Sequence, residues 1–264
     1  MKTRYTLLLA LMLVAFSAFS QQENTLITLP ETHYHLDLNS KMIVCNDDLA
    51  KYANLPQNAS ITLKIGEDTY TLEDKVEKFE LGKAYSLKKS DETFKLYFTG
   101  LPLIAISTEF EIVDEPKVAA DFSFSEPTGY TFSSKMGIET RGGFSQTFPK
   151  KSFDLEFWSD NTGATTVNTS FLGMRSDDDW LLLAMYNEPL KITNVTSHQL
   201  WQQIHTLHYA NKEAKAKSTV DMRYVELFIN NEYRGIYALA EQMDSKQLQL
   251  KDIKDNARRG ELYK

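Results

Sequence analysis

From Ile138 to Trp158 the chain reads IETRGGFSQTFPKKSFDLEFW, a segment that predicts two β-strands with a positively charged connection between them. Apolar and polar residues alternate from Phe153 to Phe157, and this period of two is typical of a strand with one buried face. Pro149 disfavours a helix just before that strand. Gly142 and Gly143 allow the backbone to take a positive φ or to approach a ligand closely. The segment therefore predicts a β-hairpin.

Three cationic residues flank the connection of this hairpin: Arg141, Lys150 and Lys151. The Arg141 guanidinium is a planar fork of donors that suits phosphate or carboxylate. Strand alternation places Lys151 on the side of the apolar residues, where an unpaired charge is costly and an anionic partner is expected. We therefore expect Arg141 and Lys151 to contact one anion. The alternative is that the Lys151 ammonium reaches water and Arg141 pairs with a surface carboxylate.

Composition limits the possible classes of function. The chain has 264 residues, of which 42% are hydrophobic and 25% charged, as in an ordinary globular protein. Its net charge of −7 disfavours nucleic-acid binding, which requires neutralisation of phosphates by a basic surface. Cys45 is the single cysteine, which excludes an internal disulfide and a cysteine-based zinc site.

The N-terminus has the pattern of a cleaved secretory signal peptide, predicted for residues 1–20. Lys2 and Arg4 precede an apolar run from Leu7 to Phe16, and small residues follow up to Ser20. The apolar run is too short for a comfortable membrane span. We expect a mature chain that begins near Gln21, has no membrane span, and is secreted, periplasmic or attached to the cell surface.

The remaining pattern predicts an α+β protein with two parts. Residues 21–114 contain short alternating runs typical of a small antiparallel β module, and Glu115-Pro116-Lys117 marks the joint to residues 115–264. A helix is predicted after Pro189 from apolar residues at helical spacing as far as Leu207. Strands are predicted at 34–38, 61–65, 70–72, 94–98, 103–106, 119–124, 131–141, 151–158, 224–229 and 236–240.

Three motifs in the second part resemble the spore-coat CotH kinase family. They are RGxxSQxFPKKS from Arg141, LGMxxDDDW from Leu172 and VELFxNxEYxGxYxLxEQ from Val225. Several motifs in the right order are more specific than one short pattern. The resemblance runs from about Leu101 to Lys264.

This resemblance implies the ATP-binding lobe of an atypical bacterial protein kinase, with a small-lobe-like antiparallel sheet and one packed helix. It implies ATP with Mg or Mn as cofactors and a secreted or surface protein as substrate. Lys151 is the expected phosphate-binding lysine, Lys150 is the alternative, and Arg141 is expected to be a second phosphate contact. The Gly-rich loop of protein kinases is not present in this sequence.

In protein kinases a helix glutamate holds the phosphate-binding lysine. The predicted helix has no glutamate after Glu188, so three residues stay open for this role: Glu188, Glu226 and Glu241. A plain ion pair with a surface lysine is the alternative for Glu226. Glu241 lies in a hinge-like segment that, by the same resemblance, borders the adenine.

The end of the chain limits what the resemblance implies about catalysis. Family members continue beyond the position of Lys264 into a lobe that supplies catalytic and metal-binding aspartates, so we expect a truncated form whose catalytic residues would lie beyond Lys264. Enzymatic activity therefore stays open. The alternative function is a noncatalytic surface or adhesion module that uses the same hairpin to bind an anionic sugar or a protein.

An acidic triplet, Asp177-Asp178-Asp179, precedes Trp180. Consecutive residues rarely converge on one metal ion without a dedicated loop. We therefore expect the triplet to cap the following segment and to present one carboxylate to Arg175. We assign no metal ligand.

Overall fold

A computed structural model of the protein describes residues 24–56, 59–251, 260 and 262. These residues form two β-sheets and a single α-helix, so the fold is mostly β and the predicted α+β class is only partly right. The predicted signal peptide lies outside the described residues. Within the described part, no helix combines the length and apolar character that a membrane crossing would require.

The first sheet is built from seven strands in the order β1-β4-β5-β6-β7-β3-β2. Two of its pairings, β1 with β4 and β3 with β7, are parallel. The sheet is therefore mixed, and the prediction of an antiparallel module is only partly right. The strands are β1 (Asn24–Thr28), β2 (Tyr34–Asp37), β3 (Met42–Cys45), β4 (Ser60–Ile65), β5 (Asp68–Leu72), β6 (Ala84–Lys89) and β7 (Glu92–Phe98).

The second sheet closes into a barrel with the order β10-β11-β12-β14-β13-β8-β9. Strands β8 and β13 pair in parallel, and the other neighbouring pairs of the barrel are antiparallel. The sequence did not indicate this closure, and the likeness to a kinase small lobe stays a prediction. The strands are β8 (Leu103–Ser107), β9 (Val118–Ser125), β10 (Thr131–Arg141), β11 (Ser152–Trp158), β12 (Asp179–Leu183), β13 (Met222–Ile229) and β14 (Glu232–Glu241).

The β10–β11 hairpin predicted from the sequence is confirmed. Its register runs from Lys135 opposite Trp158 to Arg141 opposite Ser152. The alternating apolar residues of β11 point into the barrel, where Phe157 meets Phe122 edge to face at 4.9 Å between ring centroids. This interior is the main hydrophobic core of the second sheet.

The β13–β14 hairpin is also confirmed. Asn230 and Asn231 both have positive φ, at 51° and 60°, as a tight hairpin turn requires. The outward-facing side of β13 carries Glu226 and Phe228, because Val225 and Leu227 point into the barrel. Strand alternation therefore decides which of these side chains face the first sheet.

The change from the first sheet to the second falls between β7 and β8, earlier in the chain than the predicted joint at residues 115–117. The sequence pattern assigns β8 to the N-terminal module, but the strand pairs with β9 and β13 in the barrel. A small apolar cluster of Val44, Leu103 and Phe228 joins the two sheets. The Asn46 side chain adds a buried hydrogen bond to the Ser125 carbonyl at 2.8 Å.

The helix α1 spans Thr193–Ile204 and packs on the outer face of the barrel through Val195. Its first turn is capped from outside, since the Glu188 carboxylate accepts hydrogen bonds from the backbone N–H groups of Thr193 and Asn194. Capping occupies Glu188, one of the three glutamates considered as a partner for the phosphate lysine.

A glycine in β10 yields a stability prediction. A Cβ atom at Gly137 would overlap the indole ring of the buried Trp158. We expect Gly137→Ala to lower the free energy of unfolding by about 2 kcal/mol, the cost of overpacking a rigid core. Urea unfolding followed by far-ultraviolet circular dichroism measures this change. Gly100→Ala is the matched control, because a Cβ there would meet only Leu81 Cδ1 at 3.4 Å among the described residues beyond its chain neighbours, and equal losses in the two variants would contradict the expectation.

Candidate functional site

A cavity of about 590 Å³ opens at one mouth of the barrel, beside the start of β11. The cavity lies just beyond the end of β12 at Leu183. At this point β12 no longer separates β11 from β14, so the residues that precede β11 lie directly against β14. The Tyr237 hydroxyl donates a hydrogen bond to the Lys151 carbonyl at 3.0 Å across this gap. Lys150, Lys151 and several aromatic side chains line the cavity.

Lys150 is half-buried at the edge of this cavity. Its Nζ atom donates a hydrogen bond to the Ile236 carbonyl at 2.5 Å and lies 4.0 Å from the centroid of the Tyr237 ring. Burial lowers the pKa of Lys150 to about 8, the nearby positive charge of Lys191 acts in the same direction, and Glu226 opposes both. The positive charge of Lys150 is therefore only partly balanced by nearby negative charge.

Lys151 lines the same cavity and donates from its Nζ atom to the Gln146 carbonyl at 2.5 Å. Among the described residues, neither Lys151 nor Lys150 forms an ion pair with a carboxylate. Two ammonium groups, each hydrogen-bonded to a carbonyl, thus face a concave surface that Glu111 and Arg234 also line, which leaves a positive balance of charge. The site fits an anion.

Arg141 lies elsewhere. It stands opposite Ser152 in the register and lines a separate cavity of about 260 Å³ with Leu183, His198 and Glu241. This cavity lies on the outer face of the barrel, since Leu183 packs in the cluster beneath α1. The structure thus places Arg141 and Lys151 at different cavities, rather than around one anion.

Glu241 is buried, and both oxygens of its carboxylate already accept hydrogen bonds. Its carboxylate accepts hydrogen bonds from the backbone N–H groups of Arg175 and Asp221 at 2.8 and 3.0 Å. It also accepts from Gln247 Nε2 at 3.0 Å and from Lys217 Nζ at 3.2 Å. These contacts tie the end of β14 to three other segments, which is a structural use of the carboxylate.

Glu226 also lies away from Lys151. Its carboxylate accepts hydrogen bonds from the Tyr233 hydroxyl at 2.5 Å and from the Thr99 hydroxyl at 3.2 Å. Thr99 follows β7 of the first sheet, so these contacts cross between the sheets. Within the described part of the chain, Glu226 forms no ion pair with either lysine of the cavity.

The acidic triplet presents a carboxylate to Arg175, as predicted, through an ion pair with Asp177. Lys246 also contacts the triplet, with Nζ at 2.8 Å from Asp177 and Asp178 and 3.4 Å from Asp179. Burial alone would lower the pKa of Lys246, but hydrogen bonds to these carboxylates raise it above the ordinary lysine value. An ammonium group therefore already neutralises the triplet.

This arrangement decides whether the triplet fits a divalent metal. The three carboxylates lie within 4.8 Å of one another, a spacing that suits a cation. Their oxygens already face Lys246 and Arg175, so a metal ion would have to displace a charged side chain. The triplet does not fit Mg or Mn as it stands.

Sequence reasoning missed the cations Lys217 and Lys246 and the amide of Gln247. The signal available was the concentration of carboxylates at residues 177–179 and 241, which must find compensating charge or donors when they are buried. No local pattern indicates that two of these partners lie on the segment after β14.

Comparison with known families is consistent with the motifs. Residues 138–264 match the family described as CotH kinase protein. This finding confirms the resemblance for the C-terminal part of the chain, beginning at Ile138 rather than near Leu101. No curated protein matches the chain.

The Arg175 network yields a second prediction. The side chain of Arg175 is only 15% exposed, forms an ion pair with Asp177, and binds Asp244 through both terminal nitrogens at 3.0 and 3.1 Å. We expect Arg175→Met to lower the free energy of unfolding by about 3 kcal/mol, because it leaves buried carboxylates without their partner. Urea unfolding measures the loss. Arg234→Met is the matched control and should cost less than about 1 kcal/mol, since the pair of Arg234 with Glu232 is exposed.

The difference in unfolding free energy between wild type and Arg175→Met should depend on pH because of Asp244. Burial by itself would raise the pKa of Asp244, but the hydrogen bond from Arg175 holds it below its usual value. A depressed carboxyl pKa contributes stability above the unfolded pKa of about 3.9 and loses it as the pH falls. The difference between wild type and Arg175→Met should therefore shrink below about pH 4 in urea titrations. A constant difference down to about pH 2 would contradict the assignment.

Proposed function

We propose that the protein is an exported, CotH-like nucleotide-binding protein that holds the phosphates of ATP in the barrel-mouth cavity. The observation that carries the proposal is the pair Lys150 and Lys151, which line the cavity with no carboxylate partner in the described residues. Both lysines lie in the part of the chain that matches the CotH family. Export is proposed from the signal-like pattern of residues 1–20.

The chemistry of the cavity suits a nucleotide in two ways. Two ammonium groups attract phosphate oxygens, and charge-assisted hydrogen bonds to phosphate are the stronger kind. The ring of Tyr186, which lines the cavity and is 46% exposed, provides flat apolar surface for a base or sugar. The Tyr237 hydroxyl holds the Lys151 backbone in place, so the two lysines are positioned by packing and by hydrogen bonds to the main chain.

The proposal extends to phosphoryl transfer from ATP to a secreted or surface protein, with Mg or Mn as the metal. When bound, the metal neutralises charge on the transferring phosphate. The acidic triplet is already neutralised by Lys246 and Arg175, so we assign no described residue to the metal or to catalysis. Arg141, Glu226 and Glu241 carry no role in this proposal, because their side chains serve other cavities or contacts.

A noncatalytic binding module is the second candidate. The separation of Arg141 from Lys151 and the neutralised triplet favour it, because both features leave a cation pair that binds an anion without equipment for transfer. Its ligand would be an anionic sugar or an acidic protein surface at the same two lysines.

Calorimetry with purified protein tests the nucleotide site. We expect ATP to bind in the presence of magnesium, and the double variant Lys150→Ala, Lys151→Ala to weaken binding by about a hundredfold, since it removes two charge-assisted contacts. Lys88→Ala is the matched control, because Lys88 is exposed on β6 in the other sheet. Tight binding of a glucuronate oligosaccharide, lost in the same double variant, with none of ATP, would favour the noncatalytic module.

The pKa of Lys150 predicts how anion binding depends on pH. With its pKa lowered to about 8, Lys150 is charged below that pH and becomes neutral above it. The terminal phosphate of ATP is already ionised above a pH of about 7, so its charge does not change in this range. We expect affinity for ATP to fall between about pH 7 and pH 9. Lys150→Arg stays charged and should flatten the profile, and a profile equally steep in that variant would contradict the assignment.

A further inference from the structure

A second cavity, of about 490 Å³, lies where the first sheet meets the barrel. We call it the inter-sheet cleft. Met42 and Val44 of β3, together with Tyr97 near the end of β7, form one side, and Glu226 and Tyr233 of the β13–β14 hairpin form the other. The cleft is therefore made by the packing of two sheets.

Glu226 is the single charged residue among those that line the inter-sheet cleft. It is 7% exposed and accepts hydrogen bonds from the hydroxyls of Tyr233 and Thr99. Lys150 is close enough for its pKa to be raised by the Glu226 charge, but no cation of the described residues forms an ion pair with Glu226. A carboxylate has about four acceptor positions, so two hydroxyl donors leave about half of them open. A buried carboxylate with neutral partners is a site where a positive charge would be stabilised.

The other walls of the cleft favour an apolar body attached to that charge. Met42, Val44 and Leu81 are aliphatic, and Leu81 stands 59% exposed at the cleft. Tyr97 and Tyr233 supply aromatic rings, which attract cations at their faces. Cavities of this size, apolar with one or two placed polar groups, are typical of sites for small molecules.

We propose that the inter-sheet cleft binds a small organic cation, an alkylammonium compound whose charged end meets Glu226 and whose chain lies against Met42, Val44 and Leu81. The proposal does not depend on nucleotide binding, because the lysines that would bind phosphate line the other cavity. Tyr233 lines both cavities, so the acidic site and the basic site are neighbours with different charged residues in their linings.

Titration of the full chain with n-pentylammonium, followed by methyl nuclear magnetic resonance, tests this assignment. We expect saturable shifts of the methyl signals of Met42, Val44 and Leu81 in wild type. Glu226→Gln keeps the shape and the acceptor for Tyr233 and should weaken binding by at least about tenfold, since it removes a charge-assisted contact. Glu67→Gln is the control, because Glu67 is exposed at the β4–β5 turn and should leave binding unchanged.

Two further probes make the test decisive. The neutral analogue n-pentanol should bind at least about tenfold more weakly than n-pentylammonium, because it lacks the charge. Leu81→Lys introduces a competing cation at an exposed position and should weaken n-pentylammonium binding while leaving far-ultraviolet circular dichroism unchanged.

Three results would overturn the proposal: no saturable shifts at millimolar n-pentylammonium, equal affinity in Glu226→Gln, or equal affinity for n-pentanol. Binding of a lysine-containing peptide with none of n-pentylammonium would likewise replace the small molecule by a protein partner. Loss of ATP binding in the separate calorimetric test would leave these outcomes unaffected.

Discussion

The parallel pairing of β8 with β13 is the constraint on which both cavities depend. It closes the second sheet, because β8 also pairs with β9 on its other side. The connection before β8 takes part as well, since the Glu226 N–H donates to the Pro102 carbonyl at 2.9 Å. Closure buries the aromatic core of the barrel and at the same time holds the outward side chains of β13 against the first sheet.

Closure of the barrel also explains how the β13–β14 hairpin contributes residues to both the acidic inter-sheet cleft and the basic barrel-mouth cavity. Alternation along β13 sends Leu227 inward and Glu226 outward, so the carboxylate reaches the inter-sheet cleft. At the barrel mouth, the early end of β12 leaves main-chain groups of β14 open to the segment that carries Lys150 and Lys151. The two sites adjoin at Tyr233, and the Glu226 charge still raises the pKa of Lys150.

The ion pairs indicate which cations of this protein stabilise the fold and which have no carboxylate partner among the described residues. Arg175, Lys217 and Lys246 neutralise the buried carboxylates around the end of β14, which ties the chain after the barrel to its outer face. A buried carboxylate without a partner destabilises the folded state, so the role of these cations is to stabilise the fold. Lys150 and Lys151 donate to carbonyl groups instead, which leaves their charge for a ligand.

The sequence by itself determined the elements whose signal is local. Alternation at Phe153, Leu155 and Phe157 defined β11, β10 follows its predicted bounds, and the Asn230-Asn231 pair produced the tight turn. Only the tertiary structure decided that β8 joins the barrel, through a partner strand more than a hundred residues away. It likewise decided the contacts of Glu226 with Thr99 and of Lys246 with the acidic triplet. Side-chain period and turn conformation are properties of adjacent residues, whereas these pairings join residues far apart in the chain, about which periodicity carries no information.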